Sequence, residues 1–166
     1  MPHFFPRNAA QFRDWFPTEE ACANYLAKRR WPRGFRCQIC GRRDRRPFHL
    51  GRRGLWQCRA CAHQTSLTAR TALHRTRLPL RVWLRAIYLV GAVARFRVRV
   101  ARSPFGSYAS TKEFQTTLGI VTYSTARGIR LRLNDAVTRF DPEGDRLRGQ
   151  PRIVREVLIA LMRPPA

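Results

Sequence analysis

The sequence predicts a small α+β protein: a short antiparallel β unit with a helix before it and a helix-turn-helix region after it. Three observations carry that prediction. Two Cys-x2-Cys pairs sit among short strand-like runs broken by turn residues between positions 35 and 69. Apolar residues recur at helical spacing before and after that segment. Between Asp44 and Glu113 there is no carboxylate, while fifteen Arg or Lys residues lie in the gap.

Taken in order, Thr18 is placed to cap a helix, with Glu19 and Glu20 in the first turn, where the positive end of the helix dipole favours them. That helix runs to about Arg30, closes on Lys28, Arg29 and Arg30, and is stopped by Pro32. Cys22, Tyr25 and Leu26 form its apolar stripe, so Cys22 reads as a core residue rather than a ligand. Phe48 to Leu50 and Leu55 to Gln57 flank Gly51-Arg52-Arg53-Gly54, a hairpin signal, and Gln64 to Thr68 makes a third strand. Leu78 and Pro79 open a second helix to about Ala94, with Leu80, Trp83, Leu84, Ile87 and Gly91 on one side.

From Arg95 to Val100 basic and apolar residues alternate at a strand-like period, and Pro104 and Gly106 mark a loop beyond; this is a basic arm or a linker. Thr111 to Leu118 predicts a short helix, Gly119-Ile120-Val121 a turn, and Ser124 to about Phe140 a longer helix. Phe114, Leu118, Ile120, Ile129 and Leu133 would pack the two together. A plain αα-hairpin shows the same pattern. Ile153 to Met162 is a last amphipathic stretch. The expected divisions are 1–34 (N-terminal helix segment), 35–77 (the cysteine-bearing β unit), 78–94 (connecting helix), 95–110 (linker or basic arm), 111–145 (helix-turn-helix) and 146–166 (C-terminal helix or tail).

The chemistry lies in the cysteines. Cys37-x2-Cys40 is followed after 17 residues by Cys58-x2-Cys61. Two residues between thiols let both point into one site from one tight turn, and two such turns close a tetrahedral four-sulfur shell. The spacing is that of a four-cysteine zinc ribbon. An iron–sulfur cluster would accept four cysteines too, but paired Cys-x2-Cys turns on hairpins are the zinc arrangement. A redox Cys-x2-Cys pair normally starts a helix in an α/β setting, which is absent here. The expectation is one structural Zn2+ held by Cys37, Cys40, Cys58 and Cys61, with no open position for a catalytic water and with His49 and His63 surplus.

Charge supplies the partner. The chain carries a net +23, and all but two of its basic residues are arginine. A GC-rich genome would explain Arg over Lys but not the missing acids. Such a segment repels itself unless a polyanion neutralises it, and each neutralised phosphate also releases counterions. Candidate contacts on the ribbon are Arg42, Arg43, Arg45, Arg46, Arg52, Arg53 and Arg59. On the helix-turn-helix they are Thr122, Tyr123, Ser124, Arg127 and Arg130, near the end of the second helix that would enter a major groove. The N-terminus has no apolar run of signal-peptide length, and the longest uncharged apolar run, Ala86 to Ala94, falls far short of a membrane span. A cytoplasmic, nucleoid-associated protein follows, in which an odd number of cysteines points to metal rather than disulfides.

The segment WFPTEEACANYLAKRRWPRGFRC with CRACAHQTSLTARTALHRTRLPLRVWLRAIYL resembles the N-terminal part of zinc-ribbon insertion-sequence transposases, and STKEFQTTLGIVTYSTARGIRLRLNDAVTRFDPEGD resembles the helix-turn-helix that follows there. The sequence departs from that pattern at Gln38, where Pro often stands, at Ala62, where Gly is usual, and at Arg127, where an aromatic is common. A positive φ at Ala62 would cost about 1 kcal/mol. What the resemblance implies is binding of double-stranded DNA at terminal inverted repeats, ahead of an Asp-Asp-Glu/Asn catalytic domain. After Phe140 only Asp141, Glu143, Asp145 and Glu156 remain, so the expectation is a truncated, non-enzymatic portion with no catalytic residues, partnered by DNA, by its own copies or by intact transposase. The alternative is a zinc-ribbon module for RNA or protein partners in transcription or on the ribosome.

Overall fold

The computed structural model describes residues 5, 6, 8–44, 47–51, 54–96, 110–140 and 162. A short helix, α1 (Ala9–Trp15), comes first, with Asn8 Oδ1 accepting the Gln11 amide at 2.8 Å. It is not foreshadowed in the sequence, because its seven residues bury only Phe12 and leave no apolar period to read. The next helix, α2 (Glu19–Arg30), has the expected bounds: Thr18 Oγ1 accepts the Ala21 amide at 3.2 Å, and Cys22, Tyr25 and Leu26 are buried.

Five very short strands follow. β1 (Phe35–Arg36) pairs antiparallel with β2 (Arg43–Asp44), and β3 (Phe48–Leu50), β4 (Leu55–Gln57) and β5 (Gln64–Ser66) form an antiparallel sheet in that order. Trp56 sits opposite His49 on one side and Thr65 on the other. β5 stops at Ser66, short of the expected Thr68. The reason is a clasp: the Arg30 guanidinium donates to the carbonyls of Ser66, Leu67 and Ala69, at 2.8 Å for Ser66 and 2.6 Å for Ala69. Those carbonyls serve a cation instead of another strand. Burial pulls the Arg30 guanidinium down to about 10, so it stays charged at neutral pH.

α3 (Leu80–Phe96) begins later than the expected Leu78 and runs past the expected Ala94. Its start is set from a distance, since the Glu19 carboxylate of α2 accepts the free amides of Leu80 and, at 3.2 Å, Arg81. Thr76 finishes the junction by accepting the Leu78 amide at 3.2 Å and the Trp83 indole N–H at 2.9 Å. Arg95 and Phe96 are therefore helical, which corrects the strand-like reading at the head of that segment; residues 97–109 lie outside the described residues.

α4 (Thr111–Leu118) and α5 (Tyr123–Phe140) match the expected helix pair, with α5 starting one residue early. Gly119 takes φ 69° at the turn, a left-handed conformation that costs a residue with a Cβ about 1–2 kcal/mol. The Gln115 amide side chain holds the turn through the carbonyls of Ile120 (3.1 Å) and Val121 (2.8 Å). Phe114, Leu118, Ile129 and Leu133 are buried as expected.

A single cluster of buried residues draws on every helix and on the ribbon: Phe12 and Phe16, Leu26, Phe35 and Trp56, Leu73, Trp83 and Ile87, Phe114 and Ile129. Met162, in the expected tail, is buried too. Two arginines tie the helix pair to what precedes it: Arg132 donates to the His74 carbonyl (3.2 Å) and Arg85 to that of Thr117 (3.4 Å).

Replacing Arg30 tests the clasp. Arg30→Ala strands three carbonyls, and the zinc-loaded protein is expected to lose about 2–4 kcal/mol in urea unfolding. Arg30→Lys should recover only part of that, because a single ammonium cannot fork across three acceptors as a guanidinium does. A loss below about 0.5 kcal/mol for Arg30→Ala would reduce the clasp to a surface contact.

Candidate metal centre and nucleic-acid face

Each cysteine pair occupies the tip of a hairpin, and the two tips are built alike. In the first, between β1 and β2, the Cys37 amide donates to the Arg42 carbonyl at 2.9 Å. In the second, between β4 and β5, the Cys58 amide donates to the His63 carbonyl at 2.9 Å, and the Ala62 amide to the Cys58 carbonyl at 3.0 Å. The residue after each second cysteine is left-handed: Gly41 at φ 69° and Ala62 at φ 57°. The positive φ considered for Ala62 is thus present, and the hairpin tip holds an alanine in a conformation better suited to glycine.

These tips bring all four sulfurs within 4.8 Å of one another. Cys37 Sγ and Cys61 Sγ are 3.6 Å apart, and Cys40 Sγ and Cys58 Sγ 3.7 Å. A disulfide needs about 2.05 Å, so neither pair is bonded. Four sulfurs at about 2.3 Å from one tetrahedral zinc lie about 3.8 Å from each other, and the observed separations fit that edge. Each close pair joins the two hairpins rather than closing one of them, so an ion here crosslinks the ribbon. Cys37 and Cys58 are buried while Cys40 and Cys61 are exposed.

Backbone amides at the two tips favour the thiolate at Cys37 and Cys58. Burial raises the Cys37 thiol, but backbone N–H groups of Cys40 and Ile39 and the neighbouring thiols outweigh it and bring it down to about 7. The amides of Cys61 and Ala60 likewise hold Cys58 below its ordinary value. For Cys61 the His63 amide favours the anion, yet burial and the other three sulfurs push it up to about 12. Four thiolates confined this closely repel one another, and a divalent cation is what lets the last one ionise. Cys22 is different: burial, then the Glu19 carboxylate, push it up to about 11, and it stays a protonated core thiol.

Supporting groups surround the sulfurs. Trp31 packs on Phe35 (5.1 Å between centroids) and on Trp56 (5.3 Å), joining α2 to both hairpins. Trp56 also stacks on His49 at 4.6 Å, so that histidine covers an aromatic face and lies outside the four-sulfur cluster. Gln38 accepts the Thr65 hydroxyl and donates to the Ala69 carbonyl, both at 3.4 Å, which ties the first knuckle to β5 and the turn after it. Neither Gln38 nor Arg30 could have been found by spacing, because their partners lie 27 to 39 residues along the chain.

The expected contact residues fall into three groups. Arg42 and Arg43 are exposed at the first knuckle, and Thr122, Tyr123, Ser124 and Arg127 are exposed at the start of α5, behind Val121 at 93% exposure. Arg59 and Arg130 are engaged: Arg59 lies 3.7 Å from Asp44 and over the Phe48 ring, and Arg130 donates to Thr111 Oγ1 at 2.9 Å. Arg45, Arg46, Arg52 and Arg53 lie outside the described residues. No helix of the described residues is long and apolar enough to cross a membrane.

Residues 17–64 match the family described as the transposase zinc-ribbon domain. No curated protein and no solved structure matches the chain. The match and the four-sulfur geometry agree on one structural Zn2+ at Cys37, Cys40, Cys58 and Cys61.

Substitution separates the ligands from the core thiol. Cys58→Ser is expected to abolish stoichiometric zinc and unfold the ribbon, read by metal analysis and by loss of near-UV dichroism from Trp31 and Trp56. Cys22→Ala should keep one zinc per chain and cost about 1–2 kcal/mol through the small cavity it leaves. Full zinc retention by Cys58→Ser would exclude the four-sulfur site.

Proposed function

Since residues 17–64 match the transposase zinc-ribbon domain, we propose that this chain is the DNA-binding portion of an insertion-sequence transposase and recognises the terminal inverted repeats of its element. Its role is binding rather than catalysis: a closed four-sulfur shell leaves no coordination position for a reactive water. Its place in the cell is the nucleoid, where duplex DNA is found.

The observation that carries the reading is the pairing of an exposed arginine face on the hairpins with an exposed helix start on one framework. The zinc-pinned hairpins present Arg42 and Arg43, with Arg59 beside Asp44 and Phe48. Arg45, Arg46, Arg52 and Arg53 add to the same stretch of sequence, and together these arginines make phosphate contacts. α5 begins after a tight left-handed turn and offers Thr122, Tyr123, Ser124 and Arg127 at its exposed N-terminal end. That is the part of a helix-turn-helix that reaches base edges in a major groove. Arg130, one turn on, steadies α5 against Thr111 and contacts DNA less directly. The run from Asp44 to Glu113 without a carboxylate keeps the intervening field positive.

A titration of the zinc-loaded protein against the inverted repeats flanking its own gene, with scrambled duplex as competitor, tests this at two salt concentrations. The expected preference is on the order of 10³ or more, lost on zinc removal by EDTA. Equal binding to both duplexes with one steep salt slope would leave only non-specific polyanion affinity, and a preference for single-stranded RNA would replace the reading altogether.

A further inference from the structure

The β1–β2 ladder contains an arrangement that folding alone does not favour. Its register sets Arg36 directly opposite Arg43, and directly opposed side chains on an antiparallel pair have Cβ atoms about 4.5–5.5 Å apart on one face. Like charges there destabilise the pair. The alternation is plain: Phe35 is buried and Asp44 half-buried on one side of the ladder, Arg36 and Arg43 exposed on the other. Asp44, the carboxylate next along β2, belongs to the other side and lies 3.7 Å from Arg59. Among the described residues no carboxylate is paired with Arg36 or Arg43.

Beside that ladder lies an open cleft of about 730 Å³, lined among the described residues by Pro32, Arg33, Gly34 and Arg43. Arg33 is exposed and, among the described residues, it too has no acidic partner. Arg33 and Arg43 thus share the cleft, Arg36 stands beside Arg43 on the ladder, and among the described residues no carboxylate is paired with any of the three. Each can fork two N–H groups onto an oxyanion. An open cleft suits a continuous strand better than a small enclosed anion, which would need walls on all sides.

We infer that Arg33, Arg36 and Arg43 form a seat for the phosphodiester backbone of duplex DNA, separate from the base-reading end of α5. The seat rests on the DNA-binding reading above and deepens it by adding Arg33 and Arg36 to the phosphate contacts and grouping them with Arg43 on the β1–β2 face. Cys37 directly follows Arg36, and Cys40 lies a short turn before Arg43, so the zinc holds the two arginine-bearing strands at their spacing. The repulsion between Arg36 and Arg43 is relieved when a phosphate enters. Arg33 and Arg36 both precede Cys37 in the sequence; strand register brings Arg36 beside Arg43, and the cleft brings Arg33 there.

The test compares the salt dependence of duplex binding for the full chain and for Arg33→Gln, Arg43→Gln and the double variant, with Arg13→Gln in the exposed part of α1 as a charge-matched control. Each lost phosphate contact should lower the slope of log K against log salt by about 0.9, so the double variant is expected to fall by about 2. Matched and scrambled duplexes should weaken by the same factor, and zinc content should stay at one per chain. The melting temperature without DNA should hold or rise for Arg43→Gln, because a like-charge pair is removed. Arg13→Gln should leave the slope where it was. Slopes unchanged in both seat variants, a loss confined to the matched duplex, or an equal drop for Arg13→Gln would each overturn the seat. Failure of the unaltered protein to bind any duplex would instead overturn the DNA-binding reading, a result visible before any variant is made.

Discussion

Four thiolates on one ion hold the ribbon together. Its strands are two or three residues long, far below what an isolated hairpin needs to persist in water. Hydrogen bonds cannot compensate, since each contributes only about 0.5–1.5 kcal/mol net. Structural zinc contributes about 10–16 kcal/mol of apparent binding energy in small four-ligand domains, and that energy is folding energy. The close sulfur pairs, Cys37 with Cys61 and Cys40 with Cys58, cross from one hairpin to the other. Without the ion, the contacts that join the hairpins among the described residues are the stack of Trp31, Phe35 and Trp56, the reach of Gln38 to Thr65 and the Arg59–Asp44 pair.

Around that crosslink the helices are joined by charged groups acting over long sequence distances. Glu19 begins α2 and also accepts the first amides of α3; Arg30 ends α2 and clasps the carbonyls beyond β5. One helix therefore fixes the entry to the next and the exit from the ribbon. These groups are committed internally in a chain that is strongly unbalanced in charge. Most other arginines among the described residues are exposed, where they repel one another and are available to a polyanion.

The same geometry explains why a basic surface can be specific in shape. Phosphate recognition needs guanidiniums at set spacings, and long flexible side chains gain this only when their backbones are rigid. The ribbon provides two such backbones, closed at one end by zinc. α5 is held just as firmly, by the left-handed Gly119 turn, the Gln115 side chain and the Arg130–Thr111 bond.

Local signals in the sequence were enough to determine the ligand set, since Cys-x2-Cys is read within a single turn, and the bounds of α2, whose cap, acidic first turn and basic last turn are contiguous. The pairing of α4 with α5 was legible for the same reason: Phe114, Leu118, Ile129 and Leu133 recur at helical period around one glycine. The start of α3, the early end of β5 and the helical state of Arg95 and Phe96 were not legible. Each depends on a partner from another element, or on helical hydrogen bonding that overrides a short strand-like alternation. Arg59 and Arg130 were equally open to solvent as letters, and only tertiary structure gave them Asp44, Phe48 and Thr111 as neighbours. Cysteine spacing and composition by themselves determined that this protein carries a metal-binding set of cysteines and a large uncompensated positive charge. Which charges are held inside and which gather on a shared face was decided by strand register and helix docking, because Coulomb energies depend on separations in space that spacing along the chain does not contain.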